Sequence, residues 1–199
     1  MPVHADLSGK TAIVTGASSG IGKAIAERMG AAGAHVILAG RTADSMEASA
    51  ALIRDSGGNA TVQVVDVREP QSVNALVQTA IDADGRLDIF VNNAGVAFLG
   101  SVLDGEPEAW KAMLDTNVFA LLLGSQAAVR AMRAGGRSGH IVNISSVAAL
   151  NPESGVYGAT KHAVNVITRT MRQELLNDPI QVTSIMPGLV ATNIGRNSD

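Results

Sequence analysis

The sequence predicts an α/β fold, a doubly wound parallel sheet with helices on both faces, formed as a single domain over residues 1–199. Three observations predict it. Strand-like and helix-like patterns alternate along the chain without a break. Several strand candidates are continuous apolar runs, such as Val36-Ile37-Leu38-Ala39 and Ile89-Phe90-Val91, as expected of strands covered on both faces. The first strand candidate, Thr11-Ala12-Ile13-Val14, enters a glycine-rich turn that opens a helical pattern.

Composition fits that class. The chain has 199 residues, 46% of them hydrophobic, enough for one large core. Aromatics are 3%, so Ala, Val, Leu and Ile must fill it. A formal net charge of −3 gives no nucleic-acid footprint. The basic cluster Arg130, Arg133 and Arg137 closes a helix, where cations suit the dipole. There are no cysteines, which excludes disulfides, thiolate metal sites and Cys nucleophiles. The histidines His4, His35, His140 and His162 are scattered without ligand spacing, so no metal site is expected. The stretch Met1 to Lys10 is polar and no apolar run reaches spanning length, so a cytoplasmic protein with no membrane contact is the expectation.

Taken in order, strands are expected near 10–15, 35–39, 60–65, 88–92, 139–145 and 180–186. Helices are expected near 20–32, 42–56, 70–84, 107–133 and 155–177. The first turn reads Thr15-Gly16-Ala17-Ser18-Ser19-Gly20-Ile21-Gly22. Gly16 allows a tight turn, Gly20 a close backbone approach to a pyrophosphate, and Gly22 close helix–sheet packing. With Ser18, Ser19 and Ile21 they are the candidate cofactor contacts, beside the positive end of a helix. The competing reading is a plain connecting turn.

After the second strand comes Gly40-Arg41-Thr42. Folds that hold NAD place a carboxylate here for the ribose 2′-OH. An arginine instead suits a 2′-phosphate, through a charge-assisted fork. NADP is therefore expected ahead of NAD, against a solvated Arg41. Thr42 reads as an N-cap. The third strand leads into Asp66-Val67, where Asp66 either accepts from an adenine amino group or caps the turn before Pro70. The fourth ends in Asn92-Asn93-Ala94-Gly95, suited to a ligand crevice at a strand's carboxyl end, with Asn92 equally suited to a hydrogen-bonded turn. Asn117 sits among apolar neighbours and needs a partner. It either kinks its helix and binds water or ties two elements together.

The fifth strand reads His140-Ile141-Val142-Asn143-Ile144-Ser145-Ser146, and the next helix begins Tyr157-Gly158-Ala159-Thr160-Lys161. Side chains alternate along a strand, so only one of the two serines faces a crevice. Tyr157 and Lys161 stack on one helical face. An ammonium about 5 Å from a phenol contributes roughly 3 kcal/mol at an effective dielectric of about 20. That lowers the phenol's pKa by about two units from about 10, making Tyr157 a usable general acid/base.

These motifs, with Pro187-Gly188-Leu189-Val190-Ala191-Thr192, occur in the order found in the short-chain dehydrogenase/reductase family, which the chain resembles over nearly its whole length. The resemblance implies a Rossmann sheet and reversible hydride transfer between NADP(H) and a small carbonyl or alcohol. It implies that Tyr157 protonates the carbonyl oxygen, Lys161 tunes it and holds the nicotinamide ribose, and Ser146 orients the carbonyl. Asn117 would hold a water linking Lys161 to solvent. Asn93, Ala94 and Gly95 would pass beside the cofactor, and Pro187, Gly188, Val190 and Thr192 would meet its carboxamide end. Arg41 matches the NADP-preferring members.

Two departures qualify these expectations. The loop from Ser146 to Tyr157 is slightly short for the family, which leaves Ser145 as the alternative serine. Family members also continue through a substrate lid, a helix and a last strand, so a sheet without that last helix–strand unit is expected before the end at Asp199. Val96, Phe98, Leu150 and Val190 hint at an apolar substrate. A non-catalytic NADP-binding sensor or scaffold is the second reading. The resemblance also implies a homodimer or homotetramer, through the helices at 107–133 and 155–177. Gly124, Ala127 and Ala128 suit either such contacts or packing on the sheet.

Overall fold

In the computed structural model, which describes residues 6–98, 100–192 and 194, every expected strand and helix is present. His4 and the end at Asp199 lie outside the described residues. The order is β1 (Thr11–Thr15), α1 (Gly20–Ala31), β2 (His35–Gly40), α2 (Ala43–Asp55), β3 (Asn59–Val64), α3 (Pro70–Asp84) and β4 (Ile89–Asn92). There follow α4 (Pro107–Leu114), a π-helical turn (Asp115–Phe119), α5 (Ala120–Ala134), β5 (Gly139–Ile144), α6 (Gly155–Glu174) and β6 (Ile180–Ile185). Two 3-10 turns, Val147–Leu150 and Pro152–Ser154, fill the loop before α6.

The sheet is parallel and six-stranded, ordered β3-β2-β1-β4-β5-β6. The chain builds outward from β1 to β3, then returns to β4 on the other side of β1. That reversal opens a crevice at the carboxyl ends of β1 and β4.

Alternation along the strands divides the core in two. Ile13, Ile37, Phe90 and Ile141 pack with Leu76, Val77, Ala127, Ala128 and Met132 from α3 and α5. Ala12, Val14, Val36, Leu38 and Val91 pack on the opposite face with Ala26, Met46, Ala50 and Ile53 from α1 and α2. Buried apolar area of about 25 cal/mol per Å² on both faces is what holds the layers. Gly124 and its neighbours join this packing: a Cβ at Gly124 would lie 2.7 Å from Phe90 and from Asn92 Oδ1, so these small residues meet the sheet.

Two expectations change. Thr42 occupies the N-cap of α2, but its side chain makes no cap bond. The expected single helix at 107–133 is continuous through Ala134 yet widens into the π turn at its middle. At 28 residues this helix is long and apolar enough to cross a bilayer by length and composition, which the run lengths in the sequence did not suggest. Its contacts with α3, α6, β4 and β5 are those of a core helix.

Candidate active site

The crevice is built first by Thr15 and Asn93. Thr15 Oγ1 donates to the Val91 carbonyl at 3.0 Å and accepts from the N–H groups of Asn93 and Ala94 at 3.0 and 3.1 Å. Asn93 Nδ2 donates to the carbonyls of Thr15 and Gly16 at 2.8 and 3.2 Å. The end of β4 is thus lashed to the glycine turn after β1. Gly16 has φ +66°, and a Cβ there would lie 2.9 Å from Ala94 Cα. Gly22 packs behind the turn, where a Cβ would lie 2.3 Å from the Gly16 carbonyl and Asn93 Nδ2. It shapes the cradle and does not line it. The first intrahelical bond of α1 is from Lys23 N–H to the Ser19 carbonyl. The preceding N–H groups are the unsatisfied donors of a helix start, and the Ser19 side chain makes no cap bond.

At the far end of the crevice, Gly40, Arg41 and Thr42 face Asp66, Val67 and Arg68. Arg68, which the sequence reading passed over, holds Asp66. Its Nε donates to Asp66 Oδ1 at 2.9 Å, its Nη2 to Oδ2 at 2.6 Å, and its backbone N–H to Oδ1 at 3.0 Å. These bonds hold the Asp66 carboxyl below the usual carboxylate range, with Arg41 adding to the effect. Asp66 thus caps its turn while also lining the crevice. Arg41 is exposed and has no ion pair among the described residues.

Tyr157 and Lys161 meet at the other end, as their spacing requires. The Lys161 ammonium lies 5.9 Å from the centre of the Tyr157 ring and donates to the Ile144 carbonyl at 2.9 Å. Lys161 is 3% exposed, and burial pulls its pKa down to about 8. Burial also pushes the Tyr157 phenol above its ordinary value, while its hydrogen bond with Ser146 pulls the other way. This corrects the lowered phenol expected from the sequence. The packing that brings the ammonium under the ring also strips water from the hydroxyl, and desolvation is the larger effect.

The two serines divide as alternation requires. The Ser145 hydroxyl donates to the Lys161 carbonyl at 3.0 Å. Ser146 Oγ accepts from Ala148 N–H at 3.1 Å and is the phenol's hydrogen-bond neighbour. Asn117 sits at the centre of the π turn. Its Oδ1 accepts from Val96 N–H at 2.9 Å, and its Nδ2 donates to the Val96 carbonyl and to Thr160 Oγ1 at 2.9 and 3.0 Å. Its side chain therefore ties the segment after β4 to α6. Asn92 is a buried tie as well, donating to Ser125 and Asn143 at 3.0 and 2.9 Å.

One cleft of about 1220 Å³ joins these parts. It brings together Gly16, Ser18, Ser19, Gly20, Ile21, Arg41, Asp66, Val67, Asn93, Ala94 and Gly95. Ser146, Tyr157, Lys161, Pro187, Gly188, Val190 and Thr192 line it too. Asn117 instead borders a small cavity of about 10 Å³ with Lys161, Thr15, Thr116 and Asn92. Val96 and Phe98 line the cleft as expected, whereas Leu150 is 69% exposed and does not. Besides Arg68, the missed residues are Thr160 and the 3-10 turn carrying Asn151, Glu153 and Ser154. The Asn117–Thr160 pair is 43 residues apart in sequence, and nothing local signals it.

Comparison with known proteins gives the same picture. The family model for short chain dehydrogenase matches residues 10–199. An uncharacterized oxidoreductase of Staphylococcus haemolyticus is 41% identical over 196 residues, covering 98% of this chain and 84% of that protein. A crystal structure of a short chain dehydrogenase/reductase from Burkholderia phymatum in complex with NAD superposes with a TM-score of 0.91 at 32% identity, covering 95% of this chain and 69% of that one. A metagenomic short-chain oxidoreductase in complex with NADP gives 0.86 at 38%, covering 93% and 85%. With the sheet order, the glycine turn and the Tyr157–Lys161 face already in place, these matches show that the chain belongs to the short-chain dehydrogenase family of oxidoreductases.

Proposed function

We propose that the protein is an NADP(H)-dependent oxidoreductase that interconverts a small apolar ketone and its secondary alcohol, with Tyr157 as general acid/base. The observation that carries this reading is the meeting of Tyr157, Ser146 and Lys161 at one end of the long cleft. The cleft fits a dinucleotide. A left-handed glycine turn and the free N–H groups at the start of α1 suit its pyrophosphate. When bound, the nicotinamide supplies or accepts the hydride.

The chain's own residues handle the proton. In reduction, Ser146 hydrogen-bonds the substrate oxygen and Tyr157 donates its hydroxyl proton to that oxygen. Lys161, with a pKa of about 8, is mostly protonated at neutral pH and stabilises the phenolate left behind. The small cavity beside Lys161 is about one water in size. The Asn117 amide is committed to Val96 and Thr160, so a water there would have to be held by groups other than that side chain.

NADP is favoured over NAD by Arg41, which follows Gly40 at the position where NAD-binding folds place a ribose-binding carboxylate. Val96, Phe98 and Val190 along the cleft favour an apolar substrate. The test is a panel of small ketones with NADPH, followed by loss of the reduced-cofactor absorbance. Oxidation of NADPH with an apolar ketone is expected. Binding of NADPH with no oxidation across the panel would make the protein a binding module instead.

A further inference from the structure

Residues 144 and 145 exchange two hydrogen bonds with a single residue of α6. Lys161 Nζ donates to the Ile144 carbonyl at 2.9 Å, and the Ser145 hydroxyl donates to the Lys161 carbonyl at 3.0 Å. Ser145 and Lys161 are each 3% exposed. A second rung lies two residues back on β5, where Asn143 Nδ2 donates to Thr168 Oγ1 at 2.9 Å. Asn143 and Ser145 share a face of the strand by its period of two. Lys161 and Thr168, two turns apart, share a face of the helix. The rungs are consistent with α6 running antiparallel to β5.

Such rungs do what apolar packing does not. Burial is non-directional, so a helix held by it alone retains freedom to slide or turn on the sheet. A buried hydrogen bond has a distance and an angle to satisfy. The lysine stem is long and flexible, so the volume its ammonium searches depends on how firmly its own backbone is held.

We propose that Ser145 is a positioning residue for Lys161: its hydroxyl fixes the Lys161 backbone so that the ammonium reaches the Ile144 carbonyl beneath the Tyr157 ring. Ser145 is outside the reacting set, because its hydroxyl is committed to α6 while that of Ser146 meets the phenol. The inference rests on reading Tyr157 and Lys161 as the acid/base pair, and its test needs no substrate.

The test is a titration of the full chain carrying lysine labelled with ¹³C at Cε. The lysines are Lys10, Lys23, Lys111 and Lys161, and Lys161→Arg assigns the signal. In the native protein the Lys161 signal is expected to titrate at about 8 and to be ring-shifted by Tyr157. Ser145→Ala is expected to raise that midpoint by roughly one unit, part of the way to the ~10.4 of a solvated lysine. The ring shift should shrink with it. The fold should survive, since the Lys161 carbonyl keeps its helical N–H partner. Ser145→Cys, close in shape with a weaker donor, should fall between the two. A lowered Tm with the Lys161 midpoint and ring shift unchanged in both variants would reduce Ser145 to a packing residue and overturn the proposal. Failure of the acid/base reading itself would show separately, as turnover retained without the Tyr157 hydroxyl.

Discussion

Tyr157→Phe is expected to lower turnover by about 10²–10⁴-fold, the range for losing a positioned general acid, while NADPH affinity stays within about threefold. The change removes one oxygen and leaves the ring in place over Lys161. The ring is the part that packs, so the fold should keep its Tm. The hydroxyl is the part that hydrogen-bonds Ser146 and, in the proposed reaction, moves the proton. Steady-state rates beside a cofactor titration separate the two. Turnover close to native would remove Tyr157 from the reaction and transfer the acid role to another group in the cleft.

Lys161→Met is expected to stabilise the fold at neutral pH even as it disables the site. A lysine 3% exposed with a pKa drawn from 10.5 to about 8 binds its proton less tightly folded than unfolded. Stability therefore rises with pH between those values, where the unfolded chain holds the extra proton. Below about pH 8 the buried charge costs the fold the full difference, about 3 kcal/mol as an upper estimate. Above about 10.5 the cost is gone. Methionine fills similar volume with no charge, at the loss of one bond to the Ile144 carbonyl. The gain in Tm should be largest near pH 7 and fade through pH 8 to 10.5. An equal or lower Tm at pH 7 would mean that the Ile144 bond outweighs the burial. Holding an unfavourable charge in the core for chemistry is a common stability–activity trade.

The elements were legible because their signals are local. Val36 to Ala39 and Phe90-Val91 are buried as their apolar runs imply, and the alternation of strands with helices left a doubly wound sheet as the simple solution. The glycine turn and the Tyr157–Lys161 face were legible for the same reason, since each is fixed by spacing within one turn or helix. What the sequence concealed depends on partners distant in the chain or on solvent. At the π turn the Asn117 amide reaches Val96 and Thr160 at once, and helical periodicity carries no sign of it. The direction of the Tyr157 shift depends on burial of the phenol, which a pairwise Coulomb interaction with the lysine leaves out. The Asp66–Arg68 pair is a nearer omission. The two are two residues apart, and an Asp followed by Arg at that spacing was a readable sign of a local ion pair. Gly22 was read both as a packing glycine and as a cofactor contact; it packs against Asn93 and Gly16 and does not line the cleft.

The most direct test of the account is a titration of the chain with NADPH and with NADH, followed by Trp110 emission or cofactor fluorescence, repeated with Arg41→Asp. Saturable binding of both, tighter for NADPH by about tenfold or more, is predicted for the native chain. In Arg41→Asp that preference should fall away or reverse. Equal affinities that do not respond to Arg41→Asp would make Arg41 a surface charge, and absence of binding by either nucleotide would contradict the proposed cofactor site.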